Sequence, residues 1–87
     1  MKLEYVYLIS ADNNQYKIGR TKNLSKRLKQ IRTACPNAKI EHYWEVEDSH
    51  SWEKRLHHML FQFKIHPRHE WFQFSEEEKE IIKRLTP

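Results

Sequence analysis

The chain has 87 residues, 38% hydrophobic and 32% charged, with a formal net charge of +4 and one cysteine; its pI is about 9.3 and its mean hydropathy −0.98. That length leaves room for one core and one domain over 1–87, and the mixed charge signs with four Tyr, four Phe and three Trp exclude a disordered tail. A lone Cys35 excludes an internal disulfide, no apolar run suits a membrane span or signal peptide, and the basic balance points to polyanions. The expectation is therefore a cytoplasmic protein with no membrane partner.

In chain order, Tyr5-Val6-Tyr7-Leu8-Ile9 is β-branched and aromatic on both parities, which predicts a central strand buried on both faces. Asp12-Asn13-Asn14 is a turn cluster, and Gln15 to Arg20 returns as the second strand of a hairpin. Asn23 is placed to cap a helix from Leu24 to about Thr33, which Cys35-Pro36-Asn37 stops. Lys39 to Val46 reads as a third strand with Ile40, His42, Trp44 and Val46 on one parity. Asp48 or Ser49 can cap a second helix from about His50 to Phe63. Ile65 to Phe74 has no clear period, and Pro67 argues against helix there. Ser75-Glu76-Glu77-Glu78 is a capping box opening a short last helix with Ile81, Ile82 and Leu85. The predicted order is β-β-α-β-α-α: an α/β (α+β) domain around a small three-stranded antiparallel sheet flanked by helices.

One glycine stands out because a chain of this length carries about six at an ordinary usage of roughly 7%. Gly19 is the only one, in Tyr16-Lys17-Ile18-Gly19-Arg20-Thr21, with Lys22, Lys26 and Arg27 close by. It marks either a positive φ or a close backbone approach, and the cations around it suit an anion.

Helical spacing separates ordinary surface charge from charge beside a core. On the first helix Leu24, Leu28 and Ile31 form a stripe; Lys26 and Lys29 project away from it, whereas Arg27 borders it. Arg27 is either a snorkelling side chain or a guanidinium placed to meet an anion. On the second helix Trp52, Leu56, Met59 and Phe63 form the core stripe, and Glu53 borders it one turn before His57. Glu53 is either one half of a surface ion pair or a carboxylate ligand for Mg²⁺, with His57 in reach of the same metal, a water or a phosphate. On the strands, Tyr5 and Tyr7 share one face, Lys17 and Gly19 another, and a hairpin brings Tyr7 beside Lys17. One cysteine and six scattered histidines offer no paired zinc-ligand spacing.

Together these positions resemble the GIY-YIG nuclease superfamily. Tyr5-Val6-Tyr7 stands for the first motif, Lys17-Ile18-Gly19 for the second, Arg27 follows that glycine by eight residues, and Glu53 lies on the second helix. The run Tyr16 to Thr21, the Glu53…Leu56-His57 helix and Glu70-Trp71-Phe72 are similar to a branch of small phage and bacterial domains. Two departures are a missing first glycine and Lys17 in place of the second tyrosine.

The resemblance implies a GIY-YIG nuclease-like fold and a Mg²⁺- or Mn²⁺-dependent endonuclease acting on nucleic acid, DNA before RNA. It implies that Glu53 holds the metal, Arg27 neutralises transition-state charge and Tyr7 orients or deprotonates the attacking water. Lys17 lowers the tyrosine's pKa or positions that water, Gly19 admits the substrate backbone, and Arg20, Lys22, Lys26 and His57 contact nucleic acid. A non-catalytic nucleic-acid-binding module of the same fold and a protein-interaction domain are the alternatives. So small a surface suggests low specificity, structure-selective cutting, or help from a homodimer partner or another subunit of a larger complex, because specific interfaces bury on the order of 1,000 Å² or more.

Overall fold

Hydrophobic patterning places β1 (Glu4–Ser10) at the centre of the molecule, in a computed structural model that describes residues 3–65 and 70–87. Val6, Tyr7, Leu8 and Ile9 are each no more than 1% exposed, so both faces of this strand are covered. An Asn13-Asn14 turn, both residues in the left-handed region at φ 62° and 57°, leads into β2 (Gln15–Thr21). Two consecutive positive-φ residues match the right-handed twist of a tight hairpin, and Asn tolerates that region better than other side chains do. The register pairs Tyr7 with Gly19 and Ile9 with Lys17.

Helix α1 (Leu24–Ala34) starts where Asn23 Oδ1 accepts the Lys26 N–H at 3.0 Å. Strand β3 (Lys39–Val46) pairs with β1 on its other side, and helix α2 (Ser49–Met59) follows. Asp48 rather than Ser49 caps α2, accepting the Ser51 N–H at 3.0 Å. A 3₁₀ turn (Phe61–Phe63), β4 (Trp71–Gln73) and α3 (Glu76–Lys83) complete the chain, and the Ser75/Glu78 capping box is present.

Among the described residues the sheet has four antiparallel strands in the order β3-β1-β2-β4, not three. The element order thus gains a strand before the last helix. Three residues are too few to display a period of two, and β4 is recruited by tertiary pairing: Tyr16 opposite Phe72 and Lys17 opposite Trp71. Phe72 is fully buried there. Pro67, which argues against helix in the sequence, lies outside the described residues.

Two apolar layers sandwich the sheet. Val6, Leu8, Ile18, Trp44 and Phe72 pack with Trp52 and Leu56 of α2 and Ile82 of α3, and Tyr7, Ile9 and Ala38 pack beneath Leu24, Leu28 and Ile31 of α1. Ile40 belongs to the α1 layer, not to the Trp44 and Val46 side that simple alternation assigns. A register shift between Leu8 and Ile9 explains this: Leu8 faces His42 and Ile9 faces Ile40, leaving Glu41 as the extra residue of a bulge. Met59 is 46% exposed rather than core. The helix stops there, and Leu60 takes the inward position one turn after Leu56.

Candidate active site

Strand β4 covers only the Gln15–Lys17 end of β2, and the carbonyl of Glu70 prolongs the pairing by accepting the Ile18 N–H at 3.0 Å. Gly19, Arg20 and Thr21 therefore run along an edge with no further strand among the described residues. A cleft of about 410 Å³ opens at that edge. Strand β1 contributes Glu4 and Tyr7, β2 contributes Lys17, Arg20 and Thr21, and Lys22 follows; Arg27 comes from α1, Ser49 and Glu53 from α2, and Glu70 from the residue before β4. The four predicted chemical residues, Tyr7, Lys17, Arg27 and Glu53, are thus brought together from four elements.

Gly19 is at the floor of this arrangement, and its φ is not in the left-handed region. The reason for glycine is space. A Cβ at this position would lie 2.6 Å from Glu70 Oε2 and 2.7 Å from Tyr7 Cζ, with Tyr7 Oη nearer still. Both contacts are far inside van der Waals range, so the bare backbone admits the tyrosine's tip and a carboxylate from the neighbouring segment.

Tyr7 is 1% exposed. Burial first, then the Glu70 carboxylate, push its phenol up to about 12; Arg27 opposes the rise and Glu53 adds to it. The expectation that Lys17 lowers this pKa is not met, because the Lys17 ammonium is turned to Glu70, Nζ to Oε2 3.7 Å, and lies 5.5 Å from the Trp71 ring centroid. At neutral pH Tyr7 is therefore a phenol, whose O–H is available to donate and whose oxygen is available to accept.

Glu53 is half-buried, and its nearest ionic partner is Arg20, Nε to Oε1 3.8 Å. Burial raises its carboxyl above the ordinary range and the charge of Glu70 raises it further, while His57, Arg20 and His50 pull it down. Arg27 lines the cleft with its Nε buried and without a hydrogen-bond partner among the described residues. A buried donor of this kind gains most from an incoming oxygen acceptor. Across the cleft, Ser49 Oγ donates to Glu4 Oε1, and Lys22 Nζ stands 3.9 Å from Glu4 Oε2.

The remaining predicted contacts divide. Arg20 and Lys22 line the cleft, while Lys26 lines an adjoining one of about 350 Å³ that shares Thr21, Lys22 and Arg27 with it. His57 is not among the cleft residues; its Nε2 hydrogen-bonds the Ile18 carbonyl at 2.9 Å, and its ring stands edge-on to Phe72. It therefore fixes the backbone immediately before Gly19. Glu70, Glu4 and Ser49 are site residues that sequence reasoning left without a role. Glu70 had a signal, as the acid that opens Glu-Trp-Phe; Glu4 had only its place before Tyr-Val-Tyr.

Fold and cleft define a class: a small α+β domain that gathers cations and carboxylates at an open strand edge. The chain belongs to the T5orf172 domain family, whose model matches residues 4–86 and so takes in the whole cleft. The family is loosely associated with nuclease-like function. Comparison with curated proteins and with solved structures found no match.

Proposed function

We propose that this domain is a metal-dependent endonuclease that hydrolyses phosphodiester bonds in nucleic acid, DNA first, through a site of the GIY-YIG kind. The observation that carries the reading is the convergence of Tyr7, Lys17, Arg27 and Glu53 on one cleft around the bare backbone of Gly19. A fold-stabilising role does not explain these four together, since each lines the same cleft with a polar group.

The donor set fits a hard divalent ion. Glu53 offers a half-buried carboxylate whose one ion pair, to Arg20 at 3.8 Å, engages Oε1, and burial has already raised the cost of its charge. Among the described residues no group of three or more His, Cys, Asp or Glu is placed to hold a metal. An ion held by Glu53 would therefore keep most of its water, as Mg²⁺ and Mn²⁺ do at phosphate-processing sites. Such an ion supplies Lewis-acid polarisation of the scissile phosphate and charge stabilisation at the leaving oxygen.

The chain's own residues do the rest. Arg27 donates to the phosphate oxygens as negative charge develops on them, with its Nε released from an unpartnered state. Tyr7, held as a phenol, orients the attacking water by hydrogen bonding rather than as a tyrosinate. Lys17 brings a positive charge to the floor, and Arg20, Lys22 and Lys26 hold the flanking phosphates.

The test is nicking of supercoiled plasmid by the purified domain with Mg²⁺ or Mn²⁺. The parent is expected to cut, and Glu53→Ala and Arg27→Ala each to abolish cutting with an unchanged circular-dichroism spectrum. If either variant cuts like the parent, the mechanism is wrong. Binding without nicking assigns the domain to the non-catalytic alternative, and no binding at low salt assigns it to protein interaction.

A further inference from the structure

We infer that Glu70 is a positioning residue for Lys17, holding its ammonium in the cleft that Tyr7 also lines. The inference rests on the nuclease reading for its consequence, and on geometry of its own for its content.

The backbone and the side chain of Glu70 have separate tasks. Its carbonyl accepts the Ile18 N–H at 3.0 Å, which continues the β2–β4 pairing and fixes where the residue sits. Its side chain makes none of those bonds. It is 44% exposed, lines the cleft, and reaches back over Gly19 into the space a Cβ would fill. There Oε2 stands 3.7 Å from Lys17 Nζ.

Lys17 needs such a partner. Its side chain is only 20% exposed, and its ammonium ends a flexible four-carbon stem with many rotamers. Trp71 supplies one wall, its ring centroid 5.5 Å from Nζ, and Glu70 supplies the directional charge opposite. The other charged groups in the cleft do not substitute: Glu53 is engaged by Arg20 and Glu4 by Lys22.

A carboxylate in a cleft that receives phosphate opposes binding, because it repels the ligand. If its contribution is to hold Lys17, its removal leaves binding unchanged or tighter and slows turnover. A residue that merely supported the fold would weaken both together.

The experiment compares parent, Glu70→Gln and Glu70→Asp in plasmid or oligonucleotide cleavage with Mg²⁺. Glutamine keeps the shape over Gly19 and removes the charge. Its kcat is expected to fall about 10- to 100-fold, the loss typical of a misplaced catalytic group, with KM unchanged or lower. Aspartate, which keeps the charge on a shorter arm, is expected to recover part of the rate. In a Lys17→Met background Glu70→Gln should add less than about a threefold loss, as groups acting as a unit do. A raised KM, an undiminished loss in that background, or recovery by excess Mg²⁺ overturns the inference. The Lys17 ε-CH₂ NMR resonance, assigned with Lys17→Arg, should also move in Glu70→Gln, whether or not the domain cuts. A parent that does not cut sinks the nuclease reading, whereas an unmoved resonance sinks the positioning role.

Discussion

Gly19→Ala isolates the close approach on which the cleft is built. The backbone itself does not oppose alanine: φ at Gly19 is outside the left-handed region, and replacing glycine at a compatible position stabilises by about 0.4–1 kcal/mol through the unfolded chain. Packing opposes it. The new methyl would stand 2.6 Å from Glu70 Oε2 and 2.7 Å from Tyr7 Cζ, besides meeting Tyr7 Oη. Glu70 is a flexible, partly exposed chain and can swing aside. Tyr7 cannot: it is 1% exposed and packed beneath Leu24 and Leu28 of α1, so its ring or the strand must shift. Overpacking of this kind costs about 1–3 kcal/mol, which outweighs the entropic gain and leaves a net loss of about 1–2 kcal/mol. For a domain of this size that lowers Tm by about 4–16 °C.

The assay is urea and thermal unfolding followed by circular dichroism, with Tyr7→Phe completing a double-mutant cycle. Removing the phenol oxygen takes away the nearest contact while Cζ remains, so Gly19→Ala is expected to cost less by about 0.5 kcal/mol or more in the Tyr7→Phe background. An alanine variant as stable as the parent refutes the argument that the glycine exists to admit Tyr7 and Glu70. An unchanged cost in the cycle would place the strain elsewhere.

Two further outcomes follow from buried ionisable groups. Tyr7 is expected to be a late-titrating phenol, absorbing at 295 nm with a midpoint near its raised value of about 12, and Tyr7→Phe should delete that step. Because its folded pKa lies above the unfolded value of 10.0, the stabilisation is fully present below pH 10 and is lost as pH rises towards 12; coincident titration of all tyrosines near 10 would show the burial to be wrong. Lys79→Met should destabilise by about 1.5–3 kcal/mol, the worth of a hydrogen bond to a charged group, because Lys79 Nζ meets Glu41 at 3.0 Å where both side chains are nearly buried, and the variant leaves Glu41 with only the exposed Lys39 at 3.6 Å and the Ser10 hydroxyl at 3.1 Å. Urea titration reads it, and a loss under about 0.5 kcal/mol, the worth of an exposed pair, would refute that account.

The parts of the fold legible in the sequence are those set by local chemistry. The Asn13-Asn14 turn, the Asn23 cap and the Ser75/Glu78 box each rest on neighbouring residues, and the structure keeps them. Four of the cleft residues were legible: Lys17 within a strand, and Arg27 and Glu53 at the edge of helical stripes, each interrupt an apolar pattern, and Tyr7 is one of the two tyrosines of β1. What was illegible is tertiary. Strand β4 is three residues long and exists because β2 offers it an edge, so no period announces it. The bulge at Glu41 reverses the alternation that assigned Ile40 to the wrong face. The buried Lys79 looks in sequence like one more charge on a polar helix, and only the bulge brings Glu41 beneath it.

Glu70 shows why the site is harder to read than the fold. Its carboxylate reaches the floor only because Gly19 has no side chain and because β4 pairs with β2, two facts that lie 51 positions apart in the chain. Without Glu70 the reading available from sequence has Lys17 lowering the Tyr7 pKa or positioning the water. With Glu70 present, Lys17 turns to the carboxylate, burial and negative charge dominate at the phenol, and the direction reverses. The chemistry follows: a tyrosine held protonated can orient a nucleophilic water but is a poor acceptor for its proton at neutral pH. A Tyr7→Phe variant that keeps most of the cleavage rate would show that the orienting hydrogen bond is dispensable. A loss comparable to that of Glu53→Ala would place the phenol in the reaction itself.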